Sequence, residues 1–201
     1  EDINFEKYAD FVINYPILFL KKDGKYLSGK NYKFSDYMVG NINEIDNSLP
    51  NNDDLVLHLS TIFTENRLKQ YIELRSMDTC GWGCICAGPA FFTGLLYGNL
   101  DEALELISKW EKTDLLNAYK DAPKKGLNTN LMGKDMIYWI SNLLKIAEEG
   151  LEKRDFIGKS GSNEAKYLEH LNKIINNKET VASHVINKFS KYQNLEDLYD
   201  K

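Results

Sequence analysis

The apolar residues of this chain change period near residue 80, and that change limits the folds open to it. Before it, Ile72 and Leu74 alternate with Tyr71, Glu73, Arg75 and Met77, the two-residue period of a strand. After it, Met136, Ile137, Ile140, Leu143, Leu144, Ala147 and Leu151 fall on one stripe at helical spacing. Strands early and helices late predict an α+β protein. A few antiparallel strands are covered by a mainly helical layer, with strands mainly before residue 80 and helices dominant after residue 88. No internal repeat or low-complexity linker divides the 201 residues, so they are read as one domain or lobe, 1–201.

Local signals fill in that outline. "FEKYADFVIN" reads as a short helix, and "YPILFLKKDGKYLSG" as two strands turning at Asp23-Gly24, a pair that accepts positive φ. "NYKFSDYMVGN" reads as a helix capped by Ser35 and ended by Gly40. A further helix over "NNDDLVLHLSTIF" follows Asn/Asp caps. "RLKQYIELRSMD" reads as a single strand. The helices after it are "AFFTGLLYG", "LDEALELISKWEK", "TDLLNAYKDAPKK" stopped by Pro123, the long one over "GKDMIYWISNLLKIAEEGLEKR", "EAKYLEHLNKII" and a last one from Thr180.

Charge and hydropathy exclude some classes. A net charge of -5 offers no basic stripe for nucleic acid. No apolar run is long enough to span a bilayer. The segment "EDINFEKYAD" lacks the basic start and apolar core of a secretory leader. The chain opens without Met, which is read as a start inside a longer protein. Three clustered cysteines are too few for a disulfide framework and point to a reducing cytoplasm.

Those cysteines, Cys80, Cys84 and Cys86, are spaced C-x3-C-x-C. No second pair and no histidine at ligand spacing completes a zinc site. A redox pair and incidental small buried residues remain open. The glycines around them spell no phosphate-binding loop. Trp82, between Gly81 and Gly83, lines a pocket or anchors a loop. Glu73 and Arg75 project from the same face of their strand. A carboxylate can hold magnesium and a guanidinium can fork onto phosphate, yet the same pair also reads as an ion pair on a solvated sheet. His58, among apolar neighbours, reads as a hydrogen-bonded structural histidine.

The run "HLSTIFTENRLKQYIELRSMD", His58 to Asp78, resembles a segment of the plant-type glutamate–cysteine ligases. The resemblance continues through "WGCICAGPAFFTGLLY", begins at "FEKYADF" and returns in "AEEGLEKR", so it covers nearly the whole chain in order. It implies the C-terminal half of a ligase with a glutamine-synthetase-like fold. Such an enzyme joins glutamate to cysteine with ATP and Mg2+ through a γ-glutamyl phosphate, the first step of glutathione synthesis. It places Glu73 as a metal ligand and Arg75 on the phosphate. Tyr8 and Trp82 fall to the cysteine and glutamate pockets respectively, and Arg67 to ion-pair support.

Departures from the pattern sharpen the expectations. No cysteine lies between Ser28 and Asn43, where the plant enzymes carry a regulatory disulfide. Cys86 matches the family; Cys80 and Cys84 do not. Family members are longer, so the missing N-terminal half of the enzyme is an expected partner and the chain alone is expected to be inactive. A carboxylate–amine ligase using another amine, and a non-catalytic helical interaction module, are the alternatives.

Overall fold

A computed structural model describes residues 3–29, 32–78 and 80–189. Its elements are α1 (Phe5–Ile13), β1 (Phe19–Lys22), β2 (Lys25–Ser28), α2 (Phe34–Met38), α3 (Asn52–Ser60), β3 (Asn66–Leu68), β4 (Ile72–Leu74), α4 (Ala87–Thr93), α5 (Leu100–Ile107), α6 (Lys112–Lys125), β5 (Asn130–Leu131), β6 (Lys134–Asp135), α7 (Met136–Arg154), α8 (Glu169–Asn177) and α9 (Val181–Phe189). Helices and small antiparallel sheets make this an α+β protein, as the two periods indicated. Contacts gather into two compact units, Glu1–Met77 and Asp78–Lys201.

The first unit is built from short local pieces. The β1–β2 hairpin turns at Asp23 and Gly24, both at positive φ (50° and 77°), the conformation its Asp-Gly pair predicted. Ile17, Leu20, Phe34, Tyr37, Ile42 and Ile45 are buried together beside it. Asn51 caps α3 by accepting from the N–H groups of Asp53 and Asp54, and the Asp54 carboxylate answers on Asn51. His58 is the structural histidine its neighbours suggested: it is buried, stacks on Phe34, and its Nε2 lies 2.8 Å from the Val12 carbonyl. Burial holds its pKa below the ordinary imidazole range.

Two local expectations change here. Ser35 does not cap α2. The cap residue is Lys33, whose N–H donates to Asp36 at 2.8 Å, so a carboxylate three residues on takes the role given to the hydroxyl. "RLKQYIELRSMD" is not one strand. It folds back at Lys69–Tyr71 into the β3–β4 hairpin, with Arg67 opposite Glu73 and Leu68 opposite Ile72. The alternation survives the fold: Leu68, Ile72 and Leu74 take one face, Arg67 and Glu73 the other.

The second unit is organised by α7. Its stripe contributes Leu144, Ala147 and Leu151, buried with Ala90, Leu95, Ala103 and Leu168. After α4 the backbone widens into a π turn, Gly94–Gly98, which lies directly on α7. A Cβ at Gly150 would run into the Gly94 carbonyl, so the close approach demands glycine. Asn99 locks this contact: it is buried, donates to the Ile146 carbonyl at 3.1 Å and accepts from Lys153. Pro123 does not stop α6, which runs on to Lys125; in the last turn the lost N–H bond is a single one. No helix among the described residues is long and apolar enough to cross a membrane.

Candidate functional site

The β3–β4 hairpin gathers charge on one face. Arg67 and Glu73 are cross-strand partners. Arg67 donates through Nε to Glu73 Oε2 at 2.9 Å, and its Nη2 lies 2.7 Å from the same oxygen. Its Nη1 donates to the carbonyl oxygen of Ser60 at 2.5 Å. The guanidinium is buried and held on three sides, which fixes Glu73 in turn. Arg75 Nη1 donates to the other oxygen, Glu73 Oε1, at 3.2 Å, and its guanidinium carbon stands 5.3 Å above the Phe63 ring.

The electrostatics follow from two guanidiniums on one carboxylate. The Arg67 hydrogen bond holds Glu73 below the usual carboxylate range against desolvation, the next-largest effect, and the charges of Arg67 and Arg75 add to the lowering. Glu73 stays ionised, and the three side chains together carry one positive charge. Arg67 is spent on Glu73 and the α3 end. Arg75 has one ion-pair partner among the described residues, through Nη1, and its side chain is 28% exposed. The guanidinium that can still fork onto an anion is therefore Arg75.

Glu73 and Arg75 are brought together as the sequence suggested, with Arg67 as the ion-pair support. The Phe63 ring under Arg75 was not anticipated. Tyr8 stands at the outer edge of β3: its hydroxyl accepts from the Leu68 N–H at 3.0 Å. Trp82 belongs to the second unit, 88% exposed, so it does not anchor its loop on a core. Its loop is closed by a disulfide between Cys80 and Cys84, while Cys86 is free and exposed. The bond fits the redox-pair reading for Cys80 and Cys84 and departs from the reducing setting that the clustered cysteines suggested.

The residues present do not fit a magnesium ion. Among the described residues no three His, Cys, Asp or Glu side chains converge, and both Glu73 oxygens already face arginines.

Comparison with known proteins places the chain. The family model described as glutamate-cysteine ligase family 2 matches residues 2–199. The chain belongs to glutamate-cysteine ligase family 2. The chloroplastic glutamate–cysteine ligase of Solanum lycopersicum is 36% identical over 160 residues, 78% of this chain and 30% of its own length. The chloroplastic ligase A of Oryza sativa subsp. indica is 30% identical over 94% of this chain and 38% of its own. The chloroplastic ligase of Arabidopsis thaliana is 30% identical over 94% of this chain and 36% of its own.

The chain thus spans about a third of the length of these curated relatives, a smaller share than the expected half. The cytoplasmic expectation is overturned. These relatives are chloroplastic enzymes and point to a plastid. A chain covering a third of its relatives says nothing about a leader, and two of the thiols are paired.

Proposed function

We propose that this chain is the C-terminal part of an ATP-dependent glutamate–cysteine ligase, and that its β3–β4 hairpin handles the phosphate. One observation supports this most: of the two arginines beside Glu73, Arg67 is buried and committed, while Arg75 is held in place with donors to spare. In the proposed reaction the γ-carboxylate oxygen of glutamate attacks the γ-phosphorus of ATP. ADP leaves, and a γ-glutamyl phosphate forms. The cysteine amine then attacks that carbonyl carbon, inorganic phosphate leaves, and the amine loses a proton.

The transferred phosphoryl group carries its negative charge spread over three equatorial oxygens in the first step and leaves with phosphate in the second. Arg75 meets that charge in both. Glu73 keeps Arg75 aimed, and Arg67 keeps Glu73 aimed. The metal role expected of Glu73 remains a proposal; it requires Glu73 to release Arg75 and needs further carboxylates from outside these residues. Tyr8 and Trp82 are proposed for the cysteine and glutamate pockets. The antiparallel hairpins are proposed as part of a glutamine-synthetase-like sheet, with the product entering glutathione synthesis.

The test is reconstitution. The chain is co-expressed with the portion of the tomato ligase outside the matched residues, and ADP release and γ-glutamylcysteine are followed by mass. Cysteine-dependent ADP with γ-glutamylcysteine supports the reading. ADP formed equally with alanine or 2-aminobutyrate replaces cysteine by another amine, and no ADP removes the ligase reading.

A further inference from the structure

Phe63 is an apolar ring with no core to fill. Ile62 before it is fully buried, while Phe63 is 61% exposed and belongs to none of the buried clusters of the described residues. Its backbone is nevertheless fixed on both sides. Thr61 closes α3, its N–H and its hydroxyl both donating to the His58 carbonyl. The buried Arg67 guanidinium donates through Nη1 to the carbonyls of Ser60 and Ile62, at 2.5 and 3.5 Å. On the far side the Thr64 hydroxyl donates to the Asn66 carbonyl at 2.6 Å. A loop pinned in this way presents its ring in one place, and that place is beneath the Arg75 guanidinium.

The same stretch reaches Arg75 twice. The Glu65 carbonyl accepts from the Arg75 N–H at 2.7 Å, and the Phe63 ring lies 5.3 Å from the guanidinium carbon. The guanidinium itself is thus held by Glu73 and by Phe63, and the two holds differ in kind. Glu73 takes an N–H and sets a negative charge against the cation. An anion arriving at Arg75 competes with that carboxylate for donors and for charge. The ring attracts the cation through its face and uses none of the N–H donors. Arg67 sets both holds: Nε and Nη2 fix Glu73, and Nη1 fixes the loop that carries the ring.

We propose that Phe63 is a positioning residue for phosphoryl transfer, a proposal that rests on the ligase reading above. It keeps the Arg75 guanidinium in place by its face while the N–H edge leaves Glu73 for the transferred phosphoryl group. Glu73 orients Arg75 before the anion arrives, and Phe63 orients it afterwards. The ring acts through Arg75 and touches none of the reacting atoms.

The experiment uses the full chain reconstituted with the tomato ligase portion outside its 160 matched residues. Phe63→Leu keeps an apolar side chain and removes the π face. It lowers kcat by about fivefold or more, with KM for glutamate and the unfolding midpoint unchanged. Phe63→Tyr recovers the rate. In an Arg75→Ala background Phe63→Leu changes nothing further, because its effect passes through Arg75. An undiminished kcat in Phe63→Leu overturns the proposal. An equal loss in Phe63→Tyr, or a loss that persists in the Arg75→Ala background, gives the ring another role and overturns it as well. A second readout needs no turnover: the order parameter of the Arg75 Nε–H, from NMR relaxation of the full chain, falls in Phe63→Leu and returns in Phe63→Tyr. An order parameter indifferent to the ring, in a chain whose reconstituted parent is active, removes the positioning role and leaves the ligase reading standing. A parent assembly that forms no ADP, with the order parameter still set by the ring, removes the ligase reading and leaves the hold on Arg75.

Discussion

The π turn on α7 and the β3–β4 hairpin solve opposite problems. In the first, backbone meets backbone: Gly94 and Gly150 leave no room for a Cβ, and Asn99 seals the contact. In the second, three charged side chains share a face, one strand edge is open, and apolar residues stand in water. The α7 contact is finished within this chain. The hairpin's buried Arg67 orients Glu73 and through it Arg75, while the outward backbone groups of Ile72 and Leu74 meet no partner among the described residues.

The largest effect should come from the finished region. Gly150→Ala places a methyl against the Gly94 carbonyl and is expected to cost about 3 kcal/mol. Urea unfolding of the variant checks this; a midpoint like that of the parent would mean the two backbones can part freely. Next comes Arg67→Met. It strips the buried partner from Glu73 and should cost about 2 kcal/mol. Reconstituted turnover should fall with it, since Arg75 loses its fixed neighbour; an active, stable variant would end the idea that Arg67 positions the site.

Acid should act through His58 and then Glu73. Burial keeps the folded pKa of His58 below the unfolded one, so the unfolded state takes up the proton first. Stability is full above the unfolded pKa of about 6.5 and is lost as pH falls through that value toward the folded pKa. Glu73, also lowered, adds stability above about pH 4.3 that is lost as pH falls further. Unfolding midpoints between about pH 7 and pH 5 should decline in the parent and hold level in His58→Gln. An equal decline in both would assign the effect elsewhere. The smallest stability change belongs to Arg75→Ala, about 0.5 kcal/mol, because its single ion pair is partly exposed.

The two regions were not equally legible in the sequence. The stripe from Met136 to Leu151 showed α7 directly, and Asp23-Gly24 showed its hairpin, because each signal is local. The β3–β4 turn was missed. Lys69, Gln70 and Tyr71 include none of the usual turn formers, and three-residue strands on either side merge into one alternating run. Recognising that turn would have paired Arg67 with Glu73 from register alone. Phe63 beneath Arg75, Tyr8 at the β3 edge and the Cys80–Cys84 bond depend on how loops and distant segments meet, which no period encodes. The Glu73 and Arg75 alternation was read correctly, but its chemical meaning came from resemblance.

The most direct test of the account compares Arg75→Ala with the parent in the reconstituted ligase. γ-Glutamylcysteine formation and the unfolding midpoint are measured on the same samples. If Arg75 meets the transferred phosphoryl group, kcat falls by about 10²–10³ while the midpoint barely moves. An Arg75→Ala protein that turns over like the parent would contradict the account, leaving the hairpin's charges as a structural cluster and nothing more.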